Sequence, residues 1–163
     1  MLLGVVSDTH NNHKNIKKII SLFNDRRVDL VIHTGDVTNA ASLSLFSELT
    51  SNFYVVLGNN DRNENDLEEI AKKNNFFISE PPMTLSIANR KIAVFHEPDD
   101  IYTFLNDNPH YDLILHGHTH RYRKENIENS LLFNPGESAG MLTGRNAIGI
   151  IDLSNLSLER IFF

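Results

Sequence analysis

Residues 2–10 read LLGVVSDTH, a short apolar run over Leu2–Ser7 that stops in a polar cluster. An apolar run this short, bounded by polar residues, reads as a buried strand. Too brief for a membrane span and without a basic leader, it is expected to be a first strand rather than a signal peptide. The same design recurs twice: Val28–His33 stops at HTGD, and Phe53–Leu57 stops at GNND. Between the first two runs, Ile16, Ile19, Ile20 and Phe23 fall at helical spacing. Between the second and third, Ala41, Leu45, Phe46 and Leu49 mark another helix. Asn65 and Glu68 have the spacing of a capping box, which predicts a third helix running to about Asn74. The order β-α-β-α-β-α predicts a parallel sheet with crossover helices. Open sheets of that kind bind ligands at the carboxyl ends of their strands, so the three polar clusters belong on one rim.

The second half changes character. Pro81 and Pro82 interrupt the chain, and Met83–Ala88 and Lys91–Phe95 flank Asn89-Arg90 as a hairpin. A short helix is predicted over Asp99–Asn106, and Leu113–Leu115 is a strand that runs into HGHTH. Leu131–Phe133, Ala147–Leu153 and Leu156–Phe163 read as further strands, the last two joined at Ser154-Asn155. Two packed sheets with helices outside accommodate this many strands in one domain, residues 1–163. The formal net charge of −6 argues against broad nucleic-acid binding, but leaves room for a nucleotide at one local site. There is no cysteine, which excludes disulfides and thiolate metal sites. These features predict a cytoplasmic protein without membrane attachment.

HGHTH, residues 116–120, places three of the eight histidines at alternate positions. In an extended segment such residues face one side, although Gly117 permits a bend after the first. Neutral imidazole is the commonest metal ligand. The other polar residues at strand ends are Asp8 and His10, Asp36, Asn59, and His96. With His118 and His120 they make two carboxylates, one amide and four imidazoles. That set exceeds one tetrahedral ion and suits two, if a carboxylate bridges them. Nitrogen and oxygen donors without sulfur fit Mn, Fe, Co, Ni or Zn, and the donors alone do not choose among these. Two ions ~3.5–4 Å apart are the arrangement that clamps a phosphoryl group.

The pieces D-x-H (Asp8, His10), G-D (Gly35, Asp36), G-N (Gly58, Asn59), an isolated histidine (His96) and G-H-x-H (Gly117, His118, His120) stand in the order seen in the calcineurin-like metallophosphoesterases, with Asn134-Pro135-Gly136 as a further match. The chain resembles the small bacterial and archaeal phosphodiesterase branch of that family. The resemblance implies a four-layer α/β/β/α sandwich and two divalent transition-metal ions, manganese being the expected one. It implies that Asp8, His10 and His120 hold one ion, that Asn59, His96 and His118 hold the other, and that Asp36 bridges. Asp36, Asn59, Asn60 and His96 are then the expected catalytic positions. The expected reaction is hydrolysis of a small phosphoester, a diester rather than a monoester, by a metal-bridging hydroxide. The alternative is a non-catalytic scaffold of the same fold, like the retromer subunit. His116 and His33 are read as residues at strand ends or as supports of ligands, Arg121 as a candidate phosphate clamp, and Asp61 as a support of the third loop. Three positions depart from the family pattern: Asn60 stands where many relatives have histidine, Glu97 where glycine is frequent, and Glu137 where serine is frequent.

Overall fold

The computed structural model describes residues 1–163. The first half alternates as the sequence predicts: β1 (Leu2–Val6), α1 (His13–Asp25), β2 (Leu30–His33), α2 (Ala40–Leu45), β3 (Asn52–Val56), α3 (Leu67–Lys73) and β4 (Phe77–Ser79). Strands β1 to β4 pair in parallel. The second half supplies β5 (Met83–Ile87), β6 (Arg90–Val94), α4 (Ile101–Asp107), β7 (Leu113–Leu115), β8 (Arg123–Ile127), β9 (Ser130–Asn134), β10 (Ala147–Asp152) and β11 (Ser157–Phe162). One sheet runs β11-β10-β1-β2-β3-β4 and the other β5-β6-β7-β9-β8. In the second sheet β6, β7 and β9 are parallel, and the antiparallel strands β5 and β8 form its edges.

Strand residues alternate between faces, and the core records that alternation as three apolar layers. Val6, Val31, Phe53 and Val55 face outward onto Ile16, Ile19 and Phe23 of α1 and Leu43 and Phe46 of the second helical segment. Leu3, Val5, Leu30 and Ile32 face the opposite way and meet Ile92, Val94, Leu113, Leu115 and Phe133 of the other sheet. Ala93, Ile114 and Leu132 point to the far side, onto Ile101 and Leu105 of α4. Helices, sheet, sheet, helix is therefore the layer order, as the family resemblance implies. No helix is long and apolar enough to cross a membrane.

Three local predictions need correction. The capping box at Asn65 and Glu68 does not form: α3 starts after Asp66, whose side chain makes no capping bond. The second helix presents Leu43 and Phe46 to the core and leaves Ala41 exposed, and it tightens into a 3₁₀ turn over Phe46–Glu48. The HGHTH segment is not extended. His118 (φ 65°) and His120 (φ 57°) both adopt the left-handed conformation, so the bend lies at the histidines and not at Gly117.

Phe133 has no exposed surface and lies between the sheets. Phe133→Ala should destabilise the protein by about 3–5 kcal/mol, the range for truncating a buried aromatic residue. Urea unfolding of both proteins measures it, and a loss below about 1 kcal/mol would mean that the two sheets close over the gap.

Candidate active site

Strands β1, β2, β3, β6, β7 and β9 end on one rim, and short backbone bonds stitch the loops that leave it. Asp8 N–H donates to the Gly35 carbonyl at 3.1 Å and His10 N–H to the Asp36 carbonyl at 2.9 Å, which joins the loops after β1 and β2. Gly117 N–H donates to the His96 carbonyl at 3.0 Å, joining the loops after β6 and β7. Ser138 and Ala139 N–H donate to the Ser7 and Asp8 carbonyls, both at 3.1 Å, so the two sheets meet at β1. Asp8 (φ 51°), His10 (φ 44°), Asp36 (φ 62°), His118 and His120 all have left-handed backbones. Each such residue costs on the order of 1 kcal/mol, and such residues concentrate where function fixes the backbone. Gly35, at φ +105°, is a glycine for a further reason: a Cβ there would collide with the His96 ring.

The loops bring all seven predicted ligands around one cleft. His10 and His120 stack with ring centroids 5.3 Å apart, and His96 meets His118 edge to face at 5.1 Å. His96 Nδ1 lies 2.8 Å from the Thr34 carbonyl, which can only accept, so this nitrogen carries the proton. The neutral ring then turns the lone pair of Nε2 toward Asn59 Oδ1 at 2.9 Å and Asp36 Oδ1 at 3.5 Å. His120 repeats the arrangement. Its Nδ1 donates to Glu137 Oε2 at 2.9 Å, and its Nε2 faces Asp8 Oδ1 and His10 Nε2, both at 3.5 Å. Acceptors aimed at acceptors repel unless positive charge stands between them. Either a second proton on each ring or a metal ion supplies it, and the ring orientation is the one metal-bound histidines use. Two triads of ligand atoms result, Asp8–His10–His120 and Asp8–Asp36–His96, each with all atoms within 4.8 Å of one another. Asp8 belongs to both triads. Its carboxylate is fully buried, burial pushes its pKa above the ordinary value, and Ser7, His120 and His96 oppose that shift. The donor set fits two divalent cations of the transition series. His118 and Asn59 join at the open side, where His118 Nδ1 lies 3.0 Å from Asn59 Oδ1.

The supporting residues are the part sequence reading underestimated. Asp61 accepts backbone N–H groups from Asp36 (2.8 Å), Gly58 (2.7 Å) and Thr38 (2.6 Å), so it clamps the second loop as well as the third. Glu137 is wholly buried. Burial opposes its ionisation, but hydrogen bonds from His120, Thr143 and Leu142 outweigh burial and hold its pKa at about 2. His33 is also buried. Its Nδ1 accepts from Gly35 N–H at 3.1 Å, and its Nε2 lies 2.9 Å from Thr9 Oγ1, so it ties the first two loops together. His116 is buried behind the ligands and directs no nitrogen into the cleft, with Nδ1 at 3.0 Å from the Gly117 carbonyl. Asn60 turns both its nitrogens to Asp36, donating through N–H at 3.0 Å and through the side-chain amide at 2.7 Å. Glu97 turns to Arg62 at 3.7 Å, in a neighbouring hollow, and His13 is exposed at the start of α1. The cleft itself has a volume of about 220 Å³, and the exposed side chains of Met141 and Leu142 form its apolar lip.

Burial lowers the His33 pKa from 6.5 to about 3. Below pH 6.5 the unfolded chain therefore takes up a proton that the folded chain refuses, and stability falls as the pH drops toward 3. The slope attributable to one such histidine is about 1.4 kcal/mol per pH unit. His33→Gln should lower stability at pH 7 yet show a shallower decline between pH 7 and 5. Urea unfolding across that range tests it, and parallel declines in the two proteins would remove His33 from the account.

A family model described as the calcineurin-like phosphoesterase superfamily domain matches residues 1–156. A phosphodiesterase of Methanocaldococcus jannaschii is 35% identical over 154 residues, which is 93% of each chain. A solved structure described as a novel archaeal phosphodiesterase superposes with a TM-score of 0.93 at 33% identity, over 100% of both chains. Vps29 of Chaetomium thermophilum shares the fold at TM-score 0.71 and 15% identity, over 99% of this chain and 97% of that one.

Proposed function

The chain belongs to the calcineurin-like phosphoesterase superfamily, and on that premise we propose that it is a dinuclear metal-dependent phosphodiesterase of the cytoplasm acting on small phosphodiesters. The observation that carries the reading is the pair of ligand triads meeting at the buried Asp8 carboxylate. Asp8, His10 and His120 would hold one ion and Asn59, His96 and His118 the other, with Asp36 as the bridge; Asp8 is the carboxylate common to both triads. Bound divalent ions supply charge for the phosphate oxygens and an activated water. The protein's own part is positioning. Thr34 and Glu137 fix two imidazoles as Nε2 donors, Asn60 holds the Asp36 carboxylate, and Asp61 holds the backbone beneath it. Met141 and Leu142 offer apolar surface for an aromatic or nucleoside group on the ester. The intact donor set argues against the scaffold alternative raised by the Vps29 fold. The absence of cysteine suits a reducing compartment.

Metal analysis of manganese-reconstituted protein, paired with a phosphodiester assay, tests the reading. The expected result is two ions per chain and turnover of an aryl diester. Asp36→Ala should lose at least about a hundredfold in rate, the scale of removing a strong electrostatic contact from a transition state. A folded protein that takes up no more than one ion would end the dinuclear reading.

Asn60 generates a second expectation. The cleft residues are His10, Asp36, Asn59, Asn60, His118, His120, Met141 and Leu142, and none is an acid free of the ligand cluster. Solvent must then protonate the leaving oxygen. A positioned general acid is worth about 10²–10⁴-fold, so turnover should fall steeply as the leaving group becomes more basic. A series of aryl and alkyl diesters of similar size, with chemistry limiting the rate, measures it. A flat dependence would mean that some residue does supply the proton.

A further inference from the structure

A second hollow, about 420 Å³ in volume, lies directly beside the cleft and is lined by His120, Arg121, Tyr122, Thr143, Arg145 and Arg160. His120 lines both spaces, so its ring is part of the wall between them. Three guanidinium groups in one hollow are unexpected in a chain of net charge −6. Of its eight arginines, Arg26, Arg62, Arg90 and Arg123 each pair with a carboxylate. Arg121, Arg145 and Arg160 do not, so three of the four unpaired arginines gather here.

Arg160 is built into place. Its Nε donates to the Pro135 carbonyl at 2.8 Å. Its guanidinium lies over the rings of Tyr122 and Phe162, 4.4 and 4.5 Å from their centroids. Gly136, at φ +91°, leaves the room for it: a Cβ there would lie 2.9 Å from Arg160 Nη2. Partial burial lowers the Arg160 pKa, Tyr122 opposes that shift, and the charge of Arg145 adds a smaller lowering. A fixed, partly buried guanidinium that shares a hollow with two others is a poor arrangement for an empty pocket. It becomes a favourable one when an anion bridges them. The hollow is also held at a set position relative to the ligands. The Glu137 carboxylate accepts from His120 Nδ1 at 2.9 Å on one side and from Thr143 Oγ1 at 2.7 Å on the other.

We propose that this hollow is a subsite for a second phosphate on the substrate, so that the preferred substrate is a phosphodiester carrying a further phosphate group, as in a short nucleotide chain. The inference rests on the phosphodiesterase reading for the ester that is cleaved. Its evidence is separate, because the arginines contribute nothing to the ligand triads.

The test uses the manganese-loaded full chain and two substrates with the same leaving group: thymidine 5′-(p-nitrophenyl phosphate) and its 3′-phosphorylated counterpart. The wild-type kcat/KM should favour the second by about tenfold or more, chiefly through KM, the order expected of charge-assisted hydrogen bonds. In Arg121→Gln/Arg145→Gln, which changes only exposed side chains, that ratio should fall toward one, and Arg145→Lys should retain part of it. Calorimetric titration with thymidine 3′,5′-bisphosphate and thymidine 5′-monophosphate reads the same preference without turnover. An arginine-dependent binding preference without turnover of either substrate would uphold the subsite and sink the phosphodiesterase reading. Equal kcat/KM and equal affinity for the two members of each pair would overturn the subsite. So would arginine-dependent binding of inorganic phosphate with no preference for the attached group, since the hollow would then serve a free anion.

Discussion

Burying the Asp8 carboxylate where two sheets meet is the constraint around which this molecule is arranged. A buried carboxylate without compensation is too costly to keep. Here the Ser7 hydroxyl donates to it, His118 N–H donates at 3.3 Å, and His120 Nε2 stands 3.5 Å away. Those partners come from the loops after β1 and after β7, so the carboxylate ties the rims of both sheets together. The left-handed turns at five ligand positions are the geometric consequence. A chain leaving a strand in the usual extended way would carry these side chains past the meeting point.

Histidine orientation is settled one step further out. A ring offers its lone pair from Nε2 only if Nδ1 is held as a donor, and Thr34 and Glu137 hold it for His96 and His120. Glu137 does more than orient one ring. It also gathers N–H groups from Met141 and Leu142, at 2.9 and 3.1 Å, and from Thr143, so the loop that edges the cleft hangs from the same buried charge. A fold alone does not specify chemistry. The donors on the rim, and the groups that fix their protons, are what distinguish a hydrolase from a platform.

Much of this was legible in the sequence, because the fold rests on local patterns. Apolar runs of strand length ending in SDTH, HTGD and GNND place the rim, and the spacing of Ile16, Ile19, Ile20 and Phe23 matches the buried face of α1. The seven candidate ligands do converge. What stayed hidden depends on long-range pairing. Strand β4 is three residues long and mostly outside the core, and β8, RKENI, is charged enough to read as a loop. His33 read as an ordinary strand-end residue and Glu137 only as a departure from the family pattern, because their partners, Thr9 and His120, lie 24 and 17 residues away. The bend in HGHTH was to be expected at Gly117 and falls at His118 and His120, because nothing in five residues announces that two histidines will take φ values near 60°.

The edge strands bear on how the chain behaves before it ever meets a substrate. Each sheet ends in strands whose free backbone groups invite another copy to pair. The outermost strands answer with brevity or charge: β4 has three residues, β8 carries Arg123 and Glu125 paired at 2.7 Å, and β11 sends Glu159 to Arg26 of α1, also at 2.7 Å. The residues that made β8 hard to recognise as a strand are the ones that guard its open side. A parallel core assembles slowly, since its strands are distant in sequence. Charged borders therefore keep half-formed sheets from joining edge to edge while the core is still being completed.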